Sequence, residues 1–124
     1  MEIDFTQTEI DIIKKHVDGR WQKKDHGVHM GDIEVGGKEK PAAIWEDTYY
    51  TFIIIKIAAF TYKNMFYFMR DKRFDTGTDE YSDLNECVDS IMKAQGRFLT
   101  FKKHQRLKSG NQQRIIDYIF NVTK

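Results

Sequence analysis

The feature that most constrains the fold is an apolar, aromatic stretch from Thr48 to Phe74, which reads TYYTFIIIKIAAFTYKNMFYFMRDKRF. It is the densest run of β-branched and aromatic residues in the chain, and such residues favour the pleated, half-buried surface of a sheet. A polar pair, Lys63 and Asn64, interrupts its middle and is a candidate turn. We therefore predict a long central hairpin over about 48–74, at the heart of one sheet.

A helix is predicted near the N-terminus. Thr6 and Glu9 have the spacing of a capping box, in which each side chain bonds the backbone amide of the other residue. Gly19 marks the predicted end of the helix. Between these limits apolar residues recur at helical spacing, at Ile10, Ile13 and Val17.

Short strands and turns are predicted between this helix and the hairpin. Asp25-His26-Gly27 predicts one turn and Gly36-Gly37 a second. Residues 38–40 predict a solvated loop that Pro41 closes, and residues 42–46 predict a short strand.

The C-terminal part predicts a helix, a strand and a last helix. Ser82 is the predicted cap of the first helix and Gly96 its end. Residues 97–103 alternate as in a strand, and Asn111 is the predicted cap of the last helix. Because the strands cluster along the chain, we predict a single α+β domain over residues 1–124. Its mostly antiparallel sheet would be built on the central hairpin, with an N-terminal helix and two C-terminal helices packed on it.

Composition excludes several classes of protein. The 124 residues are 40% hydrophobic and 31% charged, which is typical of a globular domain. The single cysteine, Cys87, excludes an internal disulfide and a zinc site built on two or four cysteines. The longest apolar stretch, Phe52 to Phe60, has nine residues and includes Lys56, whereas a membrane-spanning helix needs about 20 apolar residues. The acidic N-terminus lacks the pattern of a signal peptide, so we predict a cytoplasmic protein without a membrane partner.

Two neighbouring blocks of opposite charge are the main candidates for binding. The acidic block, 75–89, has six acids and no base, and the basic tract, 97–114, has six bases and no acid. Bases neutralise phosphates and aromatic rings stack on nucleobases, so the tract has both ingredients of a nucleic-acid site. Alternatively, the tract is a solvated segment that faces the acidic block. The candidate residues for nucleic acid or a protein partner are Arg97, Lys102, Lys103, Arg106, Lys108, Arg114, Phe98 and Phe101.

A second candidate set lies around the end of the hairpin. Aromatic residues are abundant in the chain, and Trp, Tyr and Arg dominate the binding energy of protein interfaces. The second strand of the hairpin leads directly into the acidic block, so we expect the working surface there. The candidate partner-binding residues are Arg70, Arg73, Asp79, Glu80, Asp83 and Trp21.

Catalytic and metal chemistry have weak signals in this sequence. His26 and His29 are metal-ligand types, but residues three apart on a strand point to opposite faces, so no metal site is predicted. Cys87 would need a lowered pKa to act as a nucleophile, whereas the acids around it, such as Asp83 and Asp89, would raise that pKa. No Gly-rich phosphate loop is present and no cofactor is expected.

The sequence thus predicts a small, non-enzymatic interaction protein that binds a protein partner through the acidic block and the basic tract. Such a protein would inhibit or regulate a nucleic-acid-handling complex. Two alternatives stay open: direct nucleic-acid binding by the basic tract, and a metal-dependent enzyme around His26 and His29. A homodimer is also expected as an alternative to a monomer, because the hairpin would leave strand edges that need cover.

Overall fold

A computed structural model describes residues 3–21, 27–47, 49–69 and 72–105. This part of the chain forms one five-stranded antiparallel sheet, in the order β1-β2-β3-β4-β5, and two helices. Each strand therefore pairs with the next one along the chain, which is the topology of a meander. The elements are α1 (Gln7–Trp21), β1 (His29–Val35), β2 (Lys38–Asp47), β3 (Tyr50–Ala58), β4 (Thr61–Phe68), β5 (Lys72–Phe74) and α2 (Leu84–Gln105).

The main core lies between the two helices and one face of the sheet, which we call the inner face. Aromatic side chains dominate it: Phe66 stacks on Phe74, and Phe98 of α2 contacts both rings. Trp45 and Phe52 stack on neighbouring strands. Helix α1 adds Ile13 and Val17, and α2 adds Val88, Ile91 and Phe98.

The opposite face of the sheet, which we call the outer face, carries a second apolar cluster. Within the described part of the chain this cluster consists of strand residues alone, and neither helix contributes to it. Ala42, Ile53 and Ile55 are its buried centre. Half-buried apolar side chains surround that centre: Ile33, Val35, Ile44, Ile57, Met65 and Tyr67.

The N-terminal helix begins as predicted, with a complete capping box. The amide of Thr6 donates to Glu9 Oε1 over 2.7 Å, and the amide of Glu9 donates to Thr6 Oγ1 over 3.2 Å. The predicted end at Gly19 is wrong, because α1 continues to Trp21. The last turn is tied to the second helix, since Arg20 Nη2 donates to Gln95 Oε1 over 2.6 Å.

The prediction of two C-terminal helices with a strand between them is wrong. One helix of 22 residues, α2, runs through Gly96 and includes residues 97–103. A glycine inside a helix costs about 1 kcal/mol, whereas burial of Phe98 one half-turn later contributes about 2 kcal/mol and keeps the helix on the sheet. The cap is Asp83 and not Ser82, since the amide of Asn85 donates to Asp83 Oδ1 over 2.9 Å. The last predicted helix, from Asn111, lies outside the described residues.

The central stretch forms three strands instead of one hairpin. The turn between β3 and β4 lies at residues 59–60, whereas Lys63 and Asn64 lie inside β4. Asn64 is a polar residue in the core, where its Nδ2 donates to the carbonyl of Cys87 over 2.7 Å. This bond to α2 explains why a residue typical of turns occupies the middle of a strand.

The structure predicted for the segment before the hairpin is confirmed in part. The turn at Gly36-Gly37 is confirmed, and both glycines have positive φ, of 59° and 79°. The strand over 42–46 is confirmed within β2. The loop predicted over 38–40 is wrong, because β2 begins at Lys38 and pairs there with Val35. The turn predicted at Asp25-His26-Gly27 lies largely outside the described residues.

Candidate functional site

A cavity of about 440 Å³ opens on the outer face of the sheet. Ile53 and Ile55 of β3 and Met65 of β4 form its apolar floor. This volume lies within the range of about 300–1,000 Å³ that small-molecule pockets have. The outer cluster therefore forms a concave surface on the face of the sheet that the two helices do not cover.

The cavity is formed because the sheet curls. Ile33 and Val35 of β1 border it on one side, and Arg73 of β5 borders it on the other. In a flat sheet these two edge strands would lie about 19 Å apart, since neighbouring strands are spaced by about 4.8 Å. That both edges line one cavity of this volume indicates a strongly curved sheet, concave on its outer face.

The rim of the cavity is charged and carries both signs. Lys63 and Arg73 are its bases, and Asp75 and Asp79 are its acids. Asp75 also orders the loop beside the rim, because its Oδ1 accepts the amide of Gly77 over 2.8 Å. An apolar floor inside a charged rim is the usual anatomy of a protein-binding surface.

The two edges of the sheet differ in length and cover. Strand β5 has three residues, and the chain that follows returns to the same side of β4, where Tyr81 and Tyr62 exchange backbone hydrogen bonds of 2.8 Å. Strand β1 has seven residues, and within the described part of the chain only β2 pairs with it. The long edge beside the cavity is therefore β1.

A buried ion pair fixes the start of α1 to the sheet. Lys56 Nζ donates to Glu9 Oε1 over 2.6 Å and to the carbonyl of Asp4 over 2.9 Å, and Tyr62 donates its hydroxyl to the same carboxylate. Burial alone would raise the pKa of Glu9, but hydrogen bonds from Lys56, Thr6 and Tyr62 outweigh it and lower that pKa. Burial and the Glu9 carboxylate raise the pKa of Tyr62. Each polar group here has a partner, so the cluster stabilises the fold and has no free group for catalysis.

The only cysteine is unsuited to nucleophilic chemistry. Cys87 is fully buried in α2, beneath Asn64 of β4. Burial raises the pKa of its thiol to about 12. Because the thiolate is the reactive form, this thiol is inert at neutral pH.

Of the candidate residues in the basic tract, only Arg97, Phe98 and Phe101 have described side chains. Arg97 is exposed on α2, whereas Phe98 is 1% exposed in the main core and Phe101 packs against that core. This placement contradicts base stacking by Phe98, because no face of its ring is open. Lys102 and Lys103 belong to the last turns of α2, and Arg106, Lys108 and Arg114 lie outside the described residues.

The second candidate set is divided between the cavity and the start of α2. Arg73 and Asp79 border the cavity. Glu80 is exposed in the preceding loop, and Asp83 is the exposed cap of α2. Trp21 is the last residue of α1, and Arg70 lies outside the described residues.

Metal binding finds no support among the residues with described positions. No group of three or more His, Cys, Asp or Glu side chains is close enough there to hold an ion. His29 is exposed at the start of β1, and His26 lies outside the described residues, so the enzyme alternative stays a prediction. Neither α1 nor α2 is long and apolar enough to cross a membrane.

The apolar residues of the outer face were not among the candidates from the sequence, whereas Arg73 and Asp79 at the rim were. The signal of these apolar residues is the alternation in β3, where Ile53, Ile55 and Ile57 form one face and the other face is also apolar. That pattern indicates a strand with two buried faces, but it does not say what covers the second one.

Comparison of the chain with protein-family models, with curated proteins and with solved structures finds no match.

Proposed function

We propose that this chain is a non-enzymatic interaction protein that binds a protein partner on the outer face of its sheet. The observation that carries the proposal is the cavity over Ile53, Ile55 and Met65, which both edge strands border. The floor itself is already largely covered, since Ile53 and Ile55 are 8% and 1% exposed, and the apolar area still open to a partner belongs to half-buried residues such as Ile33, Met65 and Tyr67. A surface that covers these half-buried side chains removes their remaining apolar area from water, which is favourable by about 25 cal/mol per Å².

The composition of the rim supports a polypeptide partner more than a small molecule. Both signs of charge occur among the residues that line the cavity, with Lys63 and Arg73 as bases and Asp75 and Asp79 as acids. Such a rim steers and orients a partner that carries complementary charges over a wide area. The seven-residue edge of β1 beside the cavity adds backbone donors and acceptors, which suit another chain.

Outer-face variants test this function in a quantitative pull-down from the native cells. We expect Ile33→Lys with Tyr67→Lys to reduce recovery of the specific partner at least tenfold, because both place a charge on the apolar cluster. The matched control is Leu99→Lys, which changes an exposed apolar residue of α2 in the same way. Thermal unfolding of each variant verifies that the fold persists. Equal recovery by the outer-face variant and the wild type would refute the proposal.

Two acids of the acidic block, Asp75 and Asp79, belong to the proposed binding surface because they lie at the rim of the cavity. An inhibitor or regulator of a nucleic-acid-handling complex is one protein that would use such a surface, and we retain that role as a hypothesis. The single, buried Cys87 suits the reducing cytoplasm, which we propose as the compartment.

Direct nucleic-acid binding is the second candidate, and a groove between the helices favours it. Lys15, His16 and Arg20 of α1 and Lys93 of α2 border this groove. Lys93 also forms an exposed ion pair with Asp89, over 2.9 Å. Contacts here would reach phosphates and not base edges, so binding would be independent of sequence.

A salt-dependent gel shift tests the second candidate. If the bases of the groove neutralise phosphates, log affinity falls linearly with log salt, and Lys15→Glu with Lys93→Glu lowers the slope by about 2. An affinity that salt does not change would exclude this candidate.

A further inference from the structure

The edge strand β1 has the features of a site for strand addition. It has seven residues, pairs only with β2 in the described part of the chain, and borders the cavity through Ile33 and Val35. The other edge, β5, is short and is followed by a segment that bonds to β4. A chain that docks in an extended form therefore has one long edge available.

The side chains of β1 alternate in chemistry between the two faces. Ile33 and Val35 contact the apolar cluster of the outer face. Asp32 and Glu34 are exposed on the other face. Neighbouring side chains on the same face of paired strands interact, so an added strand would meet apolar residues on one side and acids on the other.

The acids of this edge form no ion pair within the described part of the chain. Glu34 lies directly opposite Glu39 of β2, and none of Asp32, Glu34 and Glu39 forms an ion pair with a described residue. Like charges directly opposite each other destabilise a sheet. A base brought in by a partner would relieve this repulsion.

We infer that β1 takes an extended peptide in which apolar and basic residues alternate. The peptide adds a strand to the sheet, its apolar side chains enter the cavity beside Ile33 and Val35, and its bases lie next to Asp32 and Glu34. This inference rests on the proposed function and specifies the partner's chemistry.

A second copy of this chain fits the same edge poorly. Pairing of β1 with β1 would place the Asp32 and Glu34 carboxylates of both copies on adjacent strands. Acids on an exposed edge also discourage pairing between identical chains. The same charges that select a basic peptide thus oppose a homodimer through β1.

Synthetic peptides test the inference with the full chain. The probe is a fluorescein-labelled eight-residue peptide of alternating Lys and Val, and the reference peptide alternates Glu and Val. By fluorescence anisotropy we expect the basic peptide to bind at least tenfold more tightly. Asp32→Lys with Glu34→Lys should reverse this preference, because both residues are exposed and the change affects charge on the edge.

The matched control is Asp11→Lys with Glu86→Lys, which makes the same change in net charge at exposed positions on the helices. If this control variant lowers the affinity for the basic peptide as much as the edge variant does, the peptide is attracted by net charge alone and the inference is wrong. Loss of partner capture by Ile33→Lys with Tyr67→Lys, combined with no binding of the basic peptide, would overturn strand addition and leave the proposed function intact.

Amide hydrogen exchange locates the added strand. We expect the peptide to slow exchange at alternate residues of β1, since half of the amides of an edge strand point away from its partner. Protection of these amides in the free chain at low concentration would mean that its own residues occupy the edge. Protection that appears only as the chain is concentrated would mean that a second copy does so, and either result would overturn the inference.

Discussion

At the scale of single residues, the most informative side chain is Lys56. Its position in a strand of isoleucines suggests a charge pointing to solvent, yet its side chain is 6% exposed and bonds Glu9 of α1. A sequence pattern separates apolar from charged residues but does not identify the distant partner that makes burial of a charge tolerable. Thr6 and Glu9, by contrast, interact locally, and their capping box was predicted correctly.

Removal of one partner tests the buried ion pair. We expect Lys56→Met to lower the free energy of unfolding by about 3 kcal/mol, because Glu9 stays largely buried without its base. The control is Lys93→Met, which breaks an exposed ion pair and should change the free energy by about 0.5 kcal/mol or less. Urea denaturation measures both. Equal effects of the two substitutions would contradict the role given to Lys56.

The same cluster predicts how stability depends on acidic pH. The pKa of Glu9 is lower in the folded chain than its ordinary value of 4.5, so the folded state binds fewer protons there than the unfolded state. Its contribution is complete above pH 4.5 and is lost as the pH falls through the folded pKa. Glu9→Gln should therefore show a shallower loss of stability below pH 4.5 than the wild type. Glu86→Gln provides the reference for loss of one exposed carboxylate. If the free energy of unfolding of Glu9→Gln falls with pH as steeply as that of the wild type, Glu9 does not link stability to pH in this way.

At the scale of elements, glycine was the least reliable indicator of where a helix ends. Gly19 and Gly96 both suggest helix ends, but α1 and α2 continue through them. Gly96 lies between the buried Ala94 and Phe98, and Arg20, which follows Gly19, donates a hydrogen bond to Gln95 of α2. Gly36 and Gly37 form the turn that they predict, since their φ angles are positive. Local propensity decides a turn between two strands, whereas tertiary packing overrides it inside a helix.

Alanine substitutions distinguish these two kinds of glycine. A Cβ at Gly96 would lie 3.5 Å from Arg20 Nη2, which is ordinary contact, and one at Gly19 would have no heavy atom within 4 Å. We expect Gly19→Ala and Gly96→Ala each to stabilise the chain by about 0.5–1 kcal/mol. Gly37→Ala should destabilise it by about 1 kcal/mol, because φ there is 79°. Thermal unfolding measures all three, and destabilisation by Gly96→Ala would be inconsistent with a continuous α2.

At the scale of the whole molecule, the sequence predicted an α+β domain with an antiparallel sheet, but it did not predict the cavity that we propose as the binding surface. The sequence placed the predicted binding residues in the charged blocks, but Asp83 of the acidic block caps α2 and Phe98 of the basic tract packs in the core. The cavity depends on the curvature of the sheet, which brings β1 and β5 to the same space. Curvature results from the packing of all five strands and has no local signal.

The central claim is that the outer face of the sheet binds a polypeptide, and site-specific photo-cross-linking in extracts of the native cells tests it most directly. A benzophenone side chain replaces Tyr67 on the outer face in one variant and Leu99 on exposed α2 in another. We predict a discrete protein adduct from position 67 that is absent from position 99 and disappears when Ile33→Lys is added. Adducts at position 99 alone, or equal yields at both positions, would contradict the claim.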